Sequence, residues 1–273
     1  MRKHRVKMRT RYFDSLSNGE IKTYLRRSDV IFIPVGTVEY HGEMPVGAEY
    51  VLPLAFAERL AEQADGLLLP HLACFYPGAT SVGLGTIHIS PDTGKAYLRE
   101  VCASLLRQGF RRQVLLTAHG PAFLTLEPLI RGFFEEFRCP IVHLDLGSQF
   151  RLAKPRVDMD LMIWGAYHLL GRLDEIPTKQ RVRRRVKNPP ALGRVFGTGA
   201  HVGFYFTHDE LQHGWWPDRK MTPELRAERA RTGLEHINRV LKAMQIEELL
   251  AGLRQLDRTM QRKVWPKFGS RLP

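Results

Sequence analysis

The sequence is poor in cysteine and has no long apolar run. Its three cysteines, Cys74, Cys102 and Cys139, are odd in number and widely spaced over 273 residues, which argues against a disulfide framework and favours a reducing cytoplasm. The longest apolar stretches, such as residues 30–35, are far too short to span a bilayer. No apolar segment follows the basic N-terminus, so no signal peptide is predicted. We therefore expect a cytoplasmic protein with no membrane partner.

Signatures of several enzyme and binding classes are also missing. The sequence contains no GxSxG nucleophile elbow and no phosphate-binding P-loop. It carries none of the signatures of the common modules that bind nucleic acids. These absences disfavour a serine hydrolase of the elbow type and a P-loop nucleotide enzyme.

Acidic residues are the minority, with 28 Asp and Glu against 41 Lys and Arg, and the formal net charge is +13. The excess lies at the ends: residues 1–11 carry six basic residues and no acid, residues 12–178 have a net charge of −4, and residues 179–273 have +11. Basic ends can bind nucleic acid, but charge runs usually form solvated surfaces, so we expect no nucleic-acid partner. The arginine-rich stretch 179–194 could face a subunit or an acidic substrate.

The pattern of apolar segments predicts one α/β domain. Strands alternate with helices of about 12 residues, an order typical of a parallel sheet with helices on both faces. The predicted strands are residues 30–35, 67–69, 113–117 and 140–146, with short additional strands at 86–89 and 201–206. The predicted helices are residues 17–27, 51–64, 92–108, 124–137 and 160–171, with a long helical region over 222–253.

The chain divides into three parts. We expect a basic lead-in over residues 1–29, a single α/β domain over residues 30–257 and a basic tail over residues 258–273. Within the domain, residues 178–216 begin with a basic stretch rich in proline and glycine. This part is predicted to be a surface excursion that could cover the functional site as a lid.

Polar side chains follow two of the predicted strands. The loop after residue 35 carries Glu39, His41, Glu43 and Glu49, and the loop after residue 117 carries His119. Ligands of parallel α/β sheets bind at the carboxyl ends of the strands, so the two loops should converge. Imidazoles and carboxylates together are a ligand set for Zn²⁺ or Mn²⁺ in hydrolytic enzymes. The alternative is a pair of polar loops with surface carboxylates.

Four sequence blocks within residues 30–146 resemble the creatininase (creatinine amidohydrolase) family. The first block is GTVEYHG over residues 36–42, followed by MPVGAE over residues 44–49. The others are YPG at 76–78 with GTI at 85–87, GFRR at 109–112, and AHGPA at 118–122. Their order and spacing match those of the family over somewhat more than a hundred residues.

The resemblance implies a three-layer α/β/α sandwich with a mostly parallel sheet and a metal centre. It implies one or two Zn²⁺ or Mn²⁺ ions per chain. Carried over by position, Glu39 and His119 would bind one metal, His41 would bind the other, and Glu49 would bridge them. The resemblance further implies a homo-oligomer, often a hexamer.

Several positions depart from the family pattern. The loop after His41 is one residue shorter, and Glu49 replaces a shorter aspartate. Gly165 stands where the family has a ligating glutamate, and Asp160 stands at the position of a catalytic histidine. On a helix, His168 lies one turn from Gly165 and could enter the space that the glycine leaves, although a satisfied structural histidine is the commoner case.

Further candidates surround the predicted site. Tyr76 and Thr86 lie in loops and could line a substrate pocket. Trp164 shares a predicted helix face with Asp160 and His168 and could form a pocket wall, with a place in the core as the alternative. Asp160 or His168 would serve as the catalytic acid that protonates the leaving atom.

The resemblance implies a metal-dependent hydrolase of a small cyclic substrate. The scissile bond would be the C–N bond of a cyclic amide, or a C–C bond of a ring ketone as in inositol breakdown, attacked at the carbonyl by a metal-bound hydroxide. The altered ligands argue against creatinine itself. The alternative is a non-catalytic creatininase-like binding or scaffold protein with a degenerate metal site.

Overall fold

The central sheet of the protein has four parallel strands. The structure, a computed structural model, describes residues 8–178, 186–200, 202–207 and 221–269. The strands are β1 (Val30–Pro34), β2 (Leu67–Leu68), β3 (Arg112–Thr117) and β4 (Val142–Asp145). Their order across the sheet is β2-β1-β3-β4, and every neighbouring pair is parallel. The parallel sheet predicted from the alternation of strands and helices is confirmed.

Helices connect the strands and continue after the last of them. In chain order they are α1 (Asn18–Leu25), α2 (Ala48–Gln63), α3 (Pro91–Gln108), α4 (Phe123–Phe137), α5 (Leu146–Leu152), α6 (Met159–Leu169), α7 (Pro190–Gly197), α8 (Pro223–Ala243), α9 (Ile246–Thr259) and α10 (Trp265–Phe268). Local sequence sets several of the ends. Ser90 caps α3 just before Pro91, and Gly109 ends that helix at a φ of 107°, a conformation that favours glycine.

The two faces of the sheet bury separate apolar layers. Successive side chains of a strand point to opposite faces, and β1 shows this directly. Val30 and Phe32 pack in a cluster with α2, α6, α8 and α9, whereas Ile31 and Ile33 pack in a second cluster with α1, α3 and α4. The result is the expected three-layer α/β/α sandwich.

Residues outside the predicted domain boundaries also pack on this sandwich. Tyr24 is fully buried, and its hydroxyl donates to the backbone carbonyl of Val30 at 2.6 Å. Near the other end, the rings of Phe134 and Trp265 lie 5.2 Å apart. The described parts of the basic lead-in and of the basic tail thus contribute contacts to the same body.

Two of the short strands predicted from sequence are wrong. Residues 86–89 form no strand, because the segment leaves a turn at Gly85 and runs at once into the cap of α3. Residues 202–206 also form no strand; the amide of Phe206 donates to the carbonyl of Ala79 at 3.1 Å. Residues 179–185, His201 and residues 208–216 of the predicted surface excursion and lid lie outside the described residues.

The helical region predicted over residues 222–253 is two helices. α8 and α9 are separated at Gln245, which adopts a left-handed conformation with a φ of 46°. The prediction also missed α5, which follows β4 directly and is capped by Asp145, and α7, which lies in the predicted surface excursion. Within the described residues, no helix combines the length and apolar character needed to cross a membrane.

Candidate metal centre

The loop after β1 folds back onto the first turn of α2. A side chain at Gly36 would place its Cβ 2.7 Å from Cα of Tyr50, so only glycine permits this approach. The amide of Glu39 donates to the carbonyl of Val46 at 2.8 Å and closes the loop. This folding brings Glu39 and the side chains near it to the N-terminus of α2, where Glu49 occupies the first turn.

A second loop holds this arrangement in place. The amide of Ile87 donates to the carbonyl of Val38 at 2.9 Å, and the amide of Tyr40 donates to the hydroxyl of Thr86 at 3.2 Å. The Tyr40 ring packs on the backbone of Gly83, where an added Cβ would fall 1.7 Å from a ring carbon. Thr86, predicted as a pocket residue, therefore supports the loop that carries Glu39 and His41.

His119 enters the same place from the end of β3. Its Nδ1 atom lies 3.4 Å from Oε1 of Glu39 and 3.9 Å from Oε1 of Glu49. His41 approaches the same two oxygens, with Nε2 at 3.2 Å from Glu39 and 3.4 Å from Glu49. The predicted convergence of the two loops is therefore confirmed by the geometry.

The four side chains form a buried cluster. Glu39 and His41 are fully buried, Glu49 is 4% exposed and His119 is 8% exposed. Ligand atoms of Glu39, His41 and Glu49 all lie within 4.8 Å of one another. Among the described residues, Oε2 of Glu49 is buried without a hydrogen-bond partner. Buried carboxylates are costly unless a charge or hydrogen bond compensates them, so this donor set fits a divalent cation.

The electrostatics of the cluster favour positive charge between the carboxylates. Burial alone would raise the pKa of Glu39, but the hydrogen bond with His41 and the charges of both imidazoles outweigh it, and the pKa is lowered. Burial alone would lower the pKa of His119, but the hydrogen bond and charge of Glu49 and the charge of Glu39 raise it. Without a bound cation, the negative charge of the two carboxylates therefore favours a proton on the imidazole of His119.

Two further groups orient the cluster. The Nε2 atom of His119 donates to the carbonyl of Tyr76 at 3.1 Å, which leaves Nδ1 facing the two carboxylates. The hydroxyl of Thr80 donates a short hydrogen bond to Oε2 of Glu39. Such partners fix the direction of potential metal ligands and commonly accompany metal sites. The sequence analysis missed Thr80, because nothing in the local sequence links residue 80 to residue 39.

Tyr76 lines a small cleft beside His119. The cleft is narrow, and its walls include Thr37, Thr117 and Thr125. Tyr76, predicted as a pocket residue, is one of the residues that line this cleft. The sequence analysis did not single out the three threonines. It did identify the ends of β1 and β3, and Thr37 and Thr117 lie next to these two strand ends.

Three further predicted site residues, Trp164, Asp160 and His168, lie on α6. Trp164 is buried in the core, with the guanidinium groups of Arg226 and Arg229 5.5 and 5.6 Å from its ring centre. His168 is exposed on α6, and Asp160 stands in the first turn of that helix, beside the cap residue Asp158. None of the three lines the cleft.

The space beside Gly165 is occupied by another helix. A Cβ at Gly165 would lie 2.3 Å from the carbonyl carbon of Gly233 in α8. His168 therefore does not enter a space left by the glycine, as one interpretation of the sequence had it.

Taken together, the fold and the cluster define a class: an α/β/α protein with a buried imidazole and carboxylate centre at the carboxyl edge of a parallel sheet. Residues 14–175 match the family model Creatininase, described as creatinine amidohydrolase. The match covers more than half of the chain, and the chain belongs to this family.

Two relatives are similar in sequence over part of their length. A 3-dehydro-scyllo-inosose hydrolase of Thermotoga maritima is 30% identical over 137 residues, 50% of this chain and 44% of the relative. A creatinine amidohydrolase of Pseudomonas putida is 31% identical over 96 residues, 33% of this chain and 37% of the relative. The matches thus span less than half the length of these curated relatives.

Solved structures agree in fold over nearly their whole length. A structure titled Creatininase Mn has a TM-score of 0.63 at 19% identity, covering 87% of this chain and 98% of that one. A mutant creatininase described as Zn-Zn type has a TM-score of 0.62 at 19% identity, covering 88% and 99%. At this level of identity the likeness shows the fold.

Proposed function

We propose that the protein is a metal-dependent hydrolase of a small cyclic substrate. The observation that carries the proposal is the geometry of two buried imidazoles around two buried carboxylates. Nε2 of His41 and Nδ1 of His119 both lie within 4 Å of Oε1 of Glu39 and of Glu49. This arrangement stands at the edge of the sheet where ligands of parallel α/β folds bind.

In the proposal, these four residues hold one or two divalent ions. Glu39 and His119 bind one ion, His41 binds the other where two are present, and Glu49 reaches both. Imidazole and carboxylate ligands suit Zn²⁺ and Mn²⁺, and similar folds are titled as Zn and Mn forms. A divalent ion bound there acidifies a water molecule and polarises a carbonyl group.

The other residues of the site keep these ligands in position. Thr80 donates to Glu39 and holds its carboxylate, while the carbonyl of Tyr76 fixes the ring of His119. Glu49 lies in the first turn of α2, where the helix dipole favours a carboxylate. A narrow cleft lies beside His119 on one side of the cluster.

Two substrate classes follow from the relatives: a cyclic amide and a ring ketone. The match to the relative named an inosose hydrolase is longer than the match to the relative named creatinine amidohydrolase. We therefore place a hydroxylated ring ketone first and a cyclic amide second. The proposal gives no role to Asp160, His168 or Trp164. It includes a homo-oligomer in the cytoplasm, as the family resemblance and the cysteine content indicate.

A second candidate is a non-catalytic scaffold with the same fold. It is favoured by the contact between Gly165 and Gly233, because a helix fills the place where the resemblance puts a ligating glutamate. A scaffold would show no turnover and would need no metal.

Turnover with and without metal separates the two candidates. The protein is stripped with a chelator, reloaded with Zn²⁺ or Mn²⁺, and incubated with creatinine and with 3-dehydro-scyllo-inosose, the compound in the name of the Thermotoga maritima relative, with products followed by NMR. We expect ring opening only after reloading, lost in His119→Ala and kept in the matched control His71→Ala, whose ring is exposed. A metal-loaded protein that opens no cyclic ketone, lactam or creatinine would contradict the proposal and favour the scaffold.

A further inference from the structure

The segment over residues 76–88 packs against the candidate metal centre. The carbonyl of Tyr76 accepts a hydrogen bond from Nε2 of His119 at 3.1 Å, and the hydroxyl of Thr80 donates to the carboxylate of Glu39. Glu39 follows β1 and His119 follows β3. The segment therefore contacts ligands from both of the loops that form the centre.

His88 lies at the end of this segment and is not one of the proposed ligands. The amide of the preceding residue, Ile87, donates to the carbonyl of Val38 at 2.9 Å, next to the ligand Glu39. The rings of His88 and Tyr76 meet edge to face, with centroids 5.6 Å apart and an angle of 87° between their planes. His88 thus packs on the residue that holds the candidate ligand ring, and it is exposed to solvent.

Hydrogen bonds fix which nitrogen of His88 carries a proton. The hydroxyl of Ser81 lies 2.7 Å from the carbonyl of Gly78 and must donate to it, because a carbonyl only accepts. A hydroxyl has one proton, so the Ser81 oxygen accepts at its other contact, 2.9 Å from Nδ1 of His88. Nδ1 therefore carries a proton, and in the neutral ring Nε2 keeps its lone pair.

The proposed hydrolysis needs a group that moves a proton. A proton leaves the attacking water, and a proton reaches the leaving atom. The proposal gives this role to neither Asp160 nor His168. Imidazole is the side chain best suited to it near neutral pH, and the segment over residues 76–88 contains one other titratable side chain, Tyr76, whose ring His88 contacts.

We propose that His88 is the catalytic base and acid of this site, with Nε2 as the atom that carries the proton. This inference rests on the proposed function. As the water oxygen bonds to the carbonyl carbon, one water proton passes to Nε2 of the neutral ring. As the bond between that carbon and the leaving atom breaks, the imidazolium gives the proton to the leaving atom. The ring ends neutral, and Ser81 accepts the Nδ1 proton throughout.

The first test compares His88→Ala with His71→Ala in the metal-loaded full chain. The substrate is 3-dehydro-scyllo-inosose or creatinine, whichever the wild type opens. We expect kcat to fall by about 100-fold or more in His88→Ala at unchanged metal content, and added imidazole to restore part of it. His71 is also exposed and lies outside the segment, so His71→Ala should keep wild-type activity.

The pH profile distinguishes proton transfer from a structural role. The profile of kcat/KM should lose one ionisation in His88→Ala and keep it in Glu43→Gln, which changes a titratable side chain of the loop after β1. Wild-type activity in His88→Ala would overturn the proposal. So would a loss of activity that leaves the pH profile unchanged and does not respond to imidazole.

The second test needs no turnover. Long-range ¹H–¹⁵N NMR of the purified protein reports which nitrogen of His88 is protonated, with the signal assigned by its loss in His88→Ala. In the neutral ring we expect the proton on Nδ1, and a mixture of both forms in Ser81→Ala. A neutral ring with its proton on Nε2 would overturn the proposal.

The outcomes separate this inference from the proposed function. A wild-type protein that opens neither substrate contradicts both. A wild-type protein that opens one of them, matched in rate by His88→Ala, leaves the hydrolase standing and contradicts the role of His88 alone.

Discussion

Gly165 of α6 and Gly233 of α8 lie in direct backbone contact. A Cβ on Gly165 would come within 2.3 Å of the carbonyl carbon of Gly233, and a Cβ on Gly233 would come within 1.9 Å of the carbonyl oxygen of Leu161. The two helices can pack this closely only because neither residue has a side chain. The position at which the family resemblance places a ligating glutamate is therefore a helix crossing in this protein.

This contact predicts that small additions destabilise the fold. Gly165→Ala or Gly233→Ala forces the helices apart, because the obstructing atoms are backbone and cannot rotate away. We expect each substitution to lower the free energy of unfolding by about 2–3 kcal/mol, measured by urea denaturation.

Gly252 provides the matched control within a helix. It is exposed in α9, and an added Cβ would meet nothing within 4 Å. Gly252→Ala should therefore raise the free energy of unfolding by about 0.5–1 kcal/mol, since alanine is the better helix former. A destabilisation of the same size at all three glycines would contradict the role given to the helix crossing.

The length of Glu49 is predicted to matter for metal binding. Its Oε1 reaches both imidazoles, at 3.4 Å from His41 and 3.9 Å from His119. Glu49→Asp shortens the side chain by one methylene and moves the carboxylate away from the imidazoles. The short loop between His41 and Glu49 cannot shift to compensate. We expect metal affinity to fall by at least about 10-fold, measured by competition with a chromogenic chelator. Glu43→Asp, in the same loop, should keep wild-type affinity, and a similar loss there would show that the loop, not the ligand, is responsible.

Thr80 is predicted to tune the cluster without contacting the metal. Thr80→Val removes the hydroxyl that donates to Glu39, so this carboxylate loses its fixed orientation. Outer partners of ligands typically change metal affinity by about 10- to 100-fold, and we expect a loss in this range from the same chelator competition. Thr80→Ser keeps the donor and should restore affinity; if serine and valine behave alike, the hydrogen bond has no such role.

Metal binding is also predicted to stabilise the fold. In the metal-free protein, no metal compensates the buried carboxylates of Glu39 and Glu49. A ligand that binds only the folded state raises the free energy of unfolding by about 2.7 kcal/mol when its concentration is a hundred times its Kd. We expect Zn²⁺ to raise the melting temperature of stripped wild-type protein by several degrees, measured by calorimetry. His41→Ala should show no such rise, and a shift of equal size in that variant would place the ion elsewhere.

The sequence was sufficient to predict the core of this site. An apolar run followed by a polar loop located Glu39 and His41 at the end of β1, and the same pattern placed His119 at the end of β3. Parallel strands bring their carboxyl ends to one edge, so the convergence followed from the topology alone. The family resemblance then distinguished Glu49 from other acidic residues nearby.

The remaining features depend on contacts between distant segments. Thr80 reaches Glu39 from another loop. The hydrogen bonds from Thr117 through His143 to Glu127 join β3, β4 and α4, so no local spacing could reveal either contact. Gly165 was interpreted as a lost ligand because its partner, Gly233, lies far along the chain. For the same reason the rotation of α6, which buries Trp164 and exposes His168, could not be predicted from sequence.

The most direct measurement is the metal content of the protein purified without added metal, compared with that of the double variant His41→Ala and His119→Ala. The account predicts one to two equivalents of a divalent transition metal per chain in the wild type. It predicts almost none in the double variant, with circular dichroism showing that the variant remains folded. A folded wild-type protein that contains no metal and takes up neither Zn²⁺ nor Mn²⁺ would contradict the account.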